Sequence, residues 1–336
     1  MLELLKSLTC LDGTSGDEDA VRDFIITKID GNCEWKIDPL GNILAFKKGK
    51  KRAVKRLLID AHTDEVGLII TSVTADGFLK FKTVGGIDTA VLLSRQVRIG
   101  GSINGVIGSK PIHLTSGDEG KKLPKADSLY IDIGAQSREE ALEYVSVGDR
   151  AVMCGEYHES GELICSKALD DRIGCAILIK LLCEESEYDF SASFSVQEEI
   201  GLRGARTAAY TIDPEAAIML EATTAADISG VPDERSVCRL GSGAAVSFMD
   251  NATVYDRKFY NAALNSGIKC QPKCAVAGGN NSGVVHLSRS GVRSLAISVP
   301  CRYIHSATCV CNRNDIENSY QLAKFMLCSI CSGETE

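Results

Sequence analysis

Residues 57–69 read Leu57-Leu-Ile-Asp60-Ala-His62-Thr-Asp64-Glu65-Val-Gly-Leu-Ile69, an apolar run that ends by placing four titratable side chains within six positions. A short apolar run of this kind predicts a buried strand. Acids and an imidazole at its carboxyl end predict that the strand opens on a ligand crevice, because open sheets bind ligands beyond the carboxyl ends of their strands.

Working outward, three further runs, SASFSVQ, AAIMLEA and SLAISVP, also read as apolar strands. They alternate with helix-length amphipathic segments: EDAVRDFIITKI, RIGCAILIKLLCEE, VYDRKFYNAALNSG, GVVHLSRSG and NSYQLAKFMLCSI. This alternation predicts the α/β class, with a mostly parallel sheet flanked by helices on both faces. From about Gly67 to Gly161 the pattern changes to short β-rich runs, LIITSV, FLKFKTV, QVRI, SINGVIG, SLYIDIG and RAVMC, with Asp76-Gly77 as a hairpin signal. The expected organisation is a discontinuous α/β domain, residues 1–64 and 162–336, interrupted by a small β domain at 65–161.

Composition bounds the function. With 336 residues, 44% hydrophobic and 24% charged, the chain can bury a sizeable core. It has no run approaching 18 apolar residues, and its start, MLELLKSLTCLDG, has neither a basic flank nor a cleavage site. A cytoplasmic protein without a membrane partner is expected. Fourteen cysteines are scattered from Cys10 to Cys331, which predicts reduced thiols. The tight pairs Cys309-Val-Cys311 and Cys328-Ser-Ile-Cys331 lack a second pair at finger spacing and predict no structural zinc. A net charge of −8 argues against nucleic acid as a partner, and the basic cluster Lys47–Arg52 reads as a solvated turn.

The chemistry emerges when each strand is followed to its end. Leu57–Ala61 leads to His62, Asp64 and Glu65, SFSVQ to Glu198-Glu199, AAIML to Glu221 and SLAISVPCRY to His305, while Asp170-Asp171 precedes a helical run. Each has a plainer reading alone: a core histidine, an N-cap acid, an acid favouring a helix dipole, a polar residue at a strand exit. Together they would converge, and converging carboxylates repel and raise one another's pKa unless cations are present. Asp170, Glu199, Glu221 and a bridging hydroxide carry four negative charges, which two divalent ions balance. Two imidazoles with three carboxylates suit Zn²⁺, Co²⁺ or Mn²⁺ better than Mg²⁺ or Ca²⁺. Glu198 diverges from Glu199 and is free to act as a base, which completes an apparatus for hydrolysis.

In this order, HTDEVG, ALDDRIG, QEEIGLRGA and PCRYIHS resemble the signature segments of the tetrahedral aminopeptidases, the family-42 metallopeptidases also known as glutamyl aminopeptidases or endoglucanase M. TSGDE at 14–18, KPIHL at 110–114, YIDIGA at 130–135 and AGGNNSG at 277–283 extend the resemblance over nearly the whole chain. It implies a phosphorylase/hydrolase-like dinuclear metallopeptidase domain with a β-barrel-like insert for dimerisation. It also implies a homododecamer of dimers acting on peptides. His62 and Glu221 would bind one metal, Glu199 and His305 the other, and Asp170 both, through a peptide to Asp171 that is often cis. Asp64 would orient His62 and Glu198 would be the general base. Asn280, Asn281, Arg302 and Tyr303 are candidate substrate contacts.

Departures are Glu221 where many relatives carry Asp, Gly278-Gly279-Asn280-Asn281-Ser282 in place of a GGTDA-like segment, and Ala307-Thr308-Cys309 after Ser306. Glycoside hydrolysis, which needs two carboxylates and no metal pair, and a non-catalytic scaffold of the same fold are the alternatives.

Overall fold

The computed structural model describes residues 1–115, 122–276 and 278–335, so that Ala277, the first residue of the 277–283 segment, lies outside it. An eleven-stranded mixed sheet forms the large domain. At its centre Phe190–Ser195, Leu57–His62, Ala216–Thr224 and Arg293–Arg302 run parallel in that spatial order. Antiparallel strands, including Ile43–Lys47 and Cys309–Asn312, extend it on both sides.

Strand periodicity explains the two faces. Leu57, Ile59, Ala61, Ile218 and Leu220 belong to the main core, into which the helices Leu169–Cys183 and Arg313–Ser332 are packed. Leu58, Ala217, Met219 and Ala296 point to the other face, under the helix Arg203–Ile212. On that second face the register aligns Leu58 with Ser191, Asp60 with Ser193, and His62 with Ser195. Apolar residues thus give way, two residues at a time, to a buried polar layer and then to the sheet edge.

The middle layer is a hydrogen-bonded network. Asp60 accepts hydrogen bonds from Ser193, from Ser195 (3.2 Å) and from Asn281 (2.7 Å), and Asn281 also donates to Ser195 (2.8 Å). Asn281 is fully buried there, so the structure places it in the scaffold and not against substrate. Two elements differ from expectation. Glu221 is not the last residue of its strand, because pairing with Arg293–Arg302 continues to Thr224. The GVVHLSRSG segment is helical only over Ser282–Val285, because the chain folds back and Val292 N–H donates to the His286 carbonyl.

The strands Gly67–Val73, Leu79–Val84, Gln96–Ile99, Ile103–Gly108, Tyr130–Asp132 and Arg150–Met153 close into a six-stranded barrel with its own core. Asp76-Gly77 lies in the tight link between the first two, with Gly77 at φ +84°. His158–Ser160 and Leu163–Ser166 form a hairpin that extends the large sheet. Gly161 is therefore a turn within that sheet. Arg98 clamps the barrel to the large domain by a bidentate pair with Asp12 (2.7 and 2.5 Å). All fourteen cysteines are free, and no helix among the described residues is long and apolar enough to cross a membrane.

The loop 196–202, which carries Glu198 and Glu199, is anchored at both ends by Asn42. The Asn42 carbonyl accepts from Val196 N–H (2.9 Å), and its amide donates to Gly204 O (3.0 Å), Thr207 Oγ1 (2.9 Å) and Asp38 Oδ2 (2.6 Å). Gly204 is required here, since a Cβ would lie 2.2 Å from the Asn42 carbonyl oxygen. Asn42→Ala orphans several buried groups and is expected to cost about 2–4 kcal/mol. Denaturant unfolding checks this, with a lowered midpoint and an unchanged slope.

Candidate active site

Five chain segments supply the site, and the backbone turns through left-handed conformations beside three of them, those carrying Asp170, Glu198-Glu199 and His305. Ala168, Gln197, Leu202, Tyr303 and His305 all adopt positive φ between 51 and 59° although none is glycine. Left-handed backbone at non-glycine residues costs about 1 kcal/mol or more each and gathers at functional sites. The conformations turn the chain so that side chains leaving different strands meet.

They meet as follows. His62 Nε2 is 3.3 Å from Asp170 Oδ1 and 3.8 Å from Glu221 Oε2. His305 Nε2 is 3.5 Å from Asp170 Oδ2 and 3.3 Å from Glu199 Oε1. One carboxylate thus faces both imidazoles, one oxygen to each. Both rings are set by their other nitrogen. His62 Nδ1–H donates to the Asp64 carbonyl (3.1 Å) and lies 3.3 Å from the Asp64 carboxylate, and His305 Nδ1–H donates to Gly86 O (2.8 Å). A carbonyl only accepts, so Nδ1 carries a proton in each case and Nε2 is the nitrogen that faces the acids.

Asp64 ties the parts together. It accepts from Ser15 Oγ (2.6 Å) and from the backbone amides of Glu198 (2.9 Å) and Glu199 (3.1 Å). Glu18, in the TSGDE segment, accepts from Gln197 N–H (3.1 Å) and Gly16 N–H (2.8 Å), and burial together with the Asp64 charge pushes its carboxyl up to about 7. Below the site, Arg172 and Lys167 are buried bases. Lys167 pairs with Glu65 (2.6 Å), and Arg172 donates to the carbonyls of Thr63 (3.0 Å) and Leu8 (2.7 Å).

Asp170 and Asp171 divide the two readings of an acid pair before a helix. They are joined by a cis peptide. Asp171 is the cap: its carboxylate accepts from Gly174 N–H (2.9 Å) and from His62 N–H (3.3 Å), leaving Asp170 to face the histidines. Ligand-type atoms of His62, Asp171 and Glu221, and of His62, Asp170 and Glu199, both cluster within 4.8 Å. Of the two aspartates, Asp170 is the better donor because both Asp171 oxygens already serve backbone amides.

The electrostatics fit a cation site. Burial, opposed by His62 and reinforced by Glu199 and Asp170, pushes Glu198 up to about 8. Burial also raises Glu199 and, far more, Glu221. Against burial, hydrogen bonds to Asp170 and Glu199 push His305 up to about 11, and contacts with Asp170 and Asp64 raise His62. Asp170 itself is held below the usual carboxylate range, burial being outweighed by the two histidines. The cluster draws positive charge to itself. The donor chemistry agrees: Glu221 Oε1 is buried with no hydrogen-bond partner among the described residues, as a ligand oxygen would be. The residues present therefore fit divalent ions, and no cysteine joins these clusters.

The cluster opens on a cleft of about 300 Å³ lined by Glu198, Glu199, Glu221, Thr224, Lys273, Gly279 and Asn280, among others. Asn280 reaches it, with its amide donating to Tyr255 (2.9 Å). Arg302 does not. Its guanidinium is bound bidentately by Asp227 (2.7 and 2.9 Å), which corrects the expected substrate role to a structural one. Tyr303 is 55% exposed and lies outside the cleft lining. The Gly86 carbonyl and Lys273 were missed in the sequence, the first because any residue has a carbonyl, the second because a lone lysine carries no pattern.

The M42 glutamyl aminopeptidase family model matches residues 41–322. Lysyl aminopeptidase of Pyrococcus furiosus is 33% identical over 97% of this chain and 96% of its own. The structure of a TET aminopeptidase from a marine sediment Thaumarchaeota archaeon superposes with a TM-score of 0.94 at 34% identity, covering 99% of this chain and 97% of that one. Pyrococcus horikoshii TET1 peptidase, described as able to assemble into a tetrahedron or a large octahedral shell, gives a TM-score of 0.85 at 33% identity over 97% and 98% of the two chains. With its fold, acid cluster and sequence in agreement, the chain belongs to the M42 glutamyl aminopeptidase family and is an aminopeptidase, a hydrolase acting on peptide bonds.

Proposed function

We propose that the chain is a dinuclear metal-dependent aminopeptidase releasing N-terminal residues from short peptides. The observation that carries this reading is Asp170, whose two oxygens face His62 at 3.3 Å and His305 at 3.5 Å, as a carboxylate shared by two ions requires. His62, Asp170 and Glu221 would hold one ion, and Asp170, Glu199 and His305 the other, with Zn²⁺, Co²⁺ or Mn²⁺ suited to this donor set. When bound, such ions make water acidic enough to attack at neutral pH and stabilise charge developing on the scissile carbonyl.

The remaining work falls to this chain's own residues. Glu198 is the general base. It lies on the cleft beside Glu199, and its backbone amide is pinned by Asp64, which also holds the His62 ring. It takes a proton from the attacking water and returns it to the leaving amine. Asn280 stands where it can contact bound substrate. Assembly of relatives such as the Pyrococcus horikoshii enzyme supports a homo-oligomer here; pairing of dimers through the barrel, a tetrahedral dodecamer and a cytoplasmic location complete the proposed reading.

Exhaustive chelation is expected to abolish release of amino-acid p-nitroanilides, and added Zn²⁺, Co²⁺ or Mn²⁺ to restore it. Activity indifferent to metal removal contradicts the reading. Elemental analysis is expected to find two ions per chain, and Asp170→Ala to lose both. Glu198→Gln is expected to retain both ions while kcat falls about 10²–10⁴-fold. Near-normal turnover in that variant would assign the base elsewhere.

A further inference from the structure

The Gly278–Ser282 segment, where this chain departs from a GGTDA-like pattern, is held by side chains that neither metal binding nor proton transfer uses. Asp250 and Tyr255 stand on a hairpin closed by Asp250 N–H to Thr253 O (3.0 Å) and Tyr255 N–H to Phe248 O (3.2 Å). The hairpin is tied twice to the cleft wall. Asn251 N–H donates to Gly278 O (3.0 Å), and the Asn280 amide donates to the Tyr255 oxygen (2.9 Å). Asp250, Tyr255 and Asn280 are all buried. Burial and the neighbouring Asp250 push the Tyr255 phenol far up, so it keeps its proton.

The direction of each bond in this chain is fixed. Asp250 accepts from Ala252 N–H (2.8 Å), Thr253 N–H (2.7 Å) and Tyr255 O–H (2.5 Å). A phenol has one proton, so towards Asn280 the Tyr255 oxygen can only accept, and the atom that meets it is the amide nitrogen. At the other end Ser282 N–H can only donate, so the atom 2.8 Å from it is the Asn280 carbonyl oxygen. The two contacts together exclude the flipped amide. Asn280 is thus locked with its oxygen on the main chain and one N–H on Tyr255. Its second N–H has no partner among the described residues, and the residue lines the cleft with Glu198 and Glu221.

We propose that Asn280 binds a carbonyl oxygen of the peptide substrate through this N–H, and that Tyr255 and Asp250 are positioning residues that aim it. This deepens the aminopeptidase reading and rests on it. The substrate's α-ammonium only donates, so it is no partner for the same N–H. A peptide offers carbonyls in two places, at the scissile bond and in the peptide unit beyond it.

Two substrates with the same N-terminal residue separate these sources in the metal-loaded full-length enzyme: an amino-acid p-nitroanilide, whose one carbonyl is scissile, and a tripeptide. If Asn280 holds the scissile carbonyl, Asn280→Ala is expected to lower kcat about 100-fold on both, because the bond strengthens as charge develops on that oxygen. If it holds the next carbonyl, kcat/KM is expected to fall about 3- to 10-fold on the tripeptide alone, through KM. Either pattern supports the proposal. Asn280→Asp, of the same size but without an N–H, is expected to lose at least as much as Asn280→Ala. Tyr255→Phe keeps Asn280 and removes its anchor; a smaller loss is expected in the same parameter on the same substrate, and this variant carries the test if Asn280→Ala does not fold. Wild-type kinetics on both substrates in Asn280→Asp or in Tyr255→Phe, or loss of the bound ions from Tyr255→Phe by elemental analysis, overturn the proposal while leaving the peptidase reading intact. Failure of the wild-type enzyme to cleave either substrate at any metal loading overturns both.

Discussion

Carboxylates buried within a few ångströms of one another repel, and the large domain is organised around making that repulsion tolerable. Asp64, Asp170, Glu198, Glu199 and Glu221 share one edge of the sheet with two imidazoles. Some of the charge is offset by the chain itself. Asp64 draws on two backbone amides and a hydroxyl, and Asp171 on two more amides. What remains is concentrated on Asp170, Glu199 and Glu221, the residues proposed as ligands, where protein donors are scarce and one Glu221 oxygen has none.

The scaffold holds this arrangement by grading polarity along the strands. Leu58 and Met219 belong to the apolar packing, Asp60, Ser193, Ser195 and Asn281 form a hydrogen-bonded layer beside it, and His62, the last residue of its strand, and Glu221 lie beyond. The left-handed residues at Gln197 and His305 then aim the last side chains. Their conformational cost persists because Asn42, Glu18 and the Gly86 carbonyl hold the backbone and rings from several directions.

Much of this was legible in the sequence because strands and their ends leave strong signals. An apolar run ending in His62, Asp64 and Glu65 points to a ligand crevice once Glu199, Glu221 and His305 are found at the ends of other strands, and the change from helix-spaced to short β-rich segments marks the barrel. Three kinds of feature were not legible. Backbone groups such as the Gly86 carbonyl have no sequence identity. Residues whose role is set by their neighbours, such as Asn281 and Arg302, look like substrate contacts until Asp60 and Asp227 are seen to hold them. Local periodicity also fails where tertiary contacts intervene: the 283–291 segment has a helical pattern, yet its helix stops at Val285 where the chain turns back.

The Gly86 carbonyl has a wider implication. It follows the second strand of the barrel and fixes the tautomer of a histidine that belongs to the other domain. The barrel is therefore no detachable module: one imidazole at the catalytic edge takes its orientation from a neighbour across the domain boundary. Any rocking of one body against the other would rotate that ring, so the mechanical stiffness of the junction, including the Arg98–Asp12 clamp, becomes part of how the chemistry is kept in alignment.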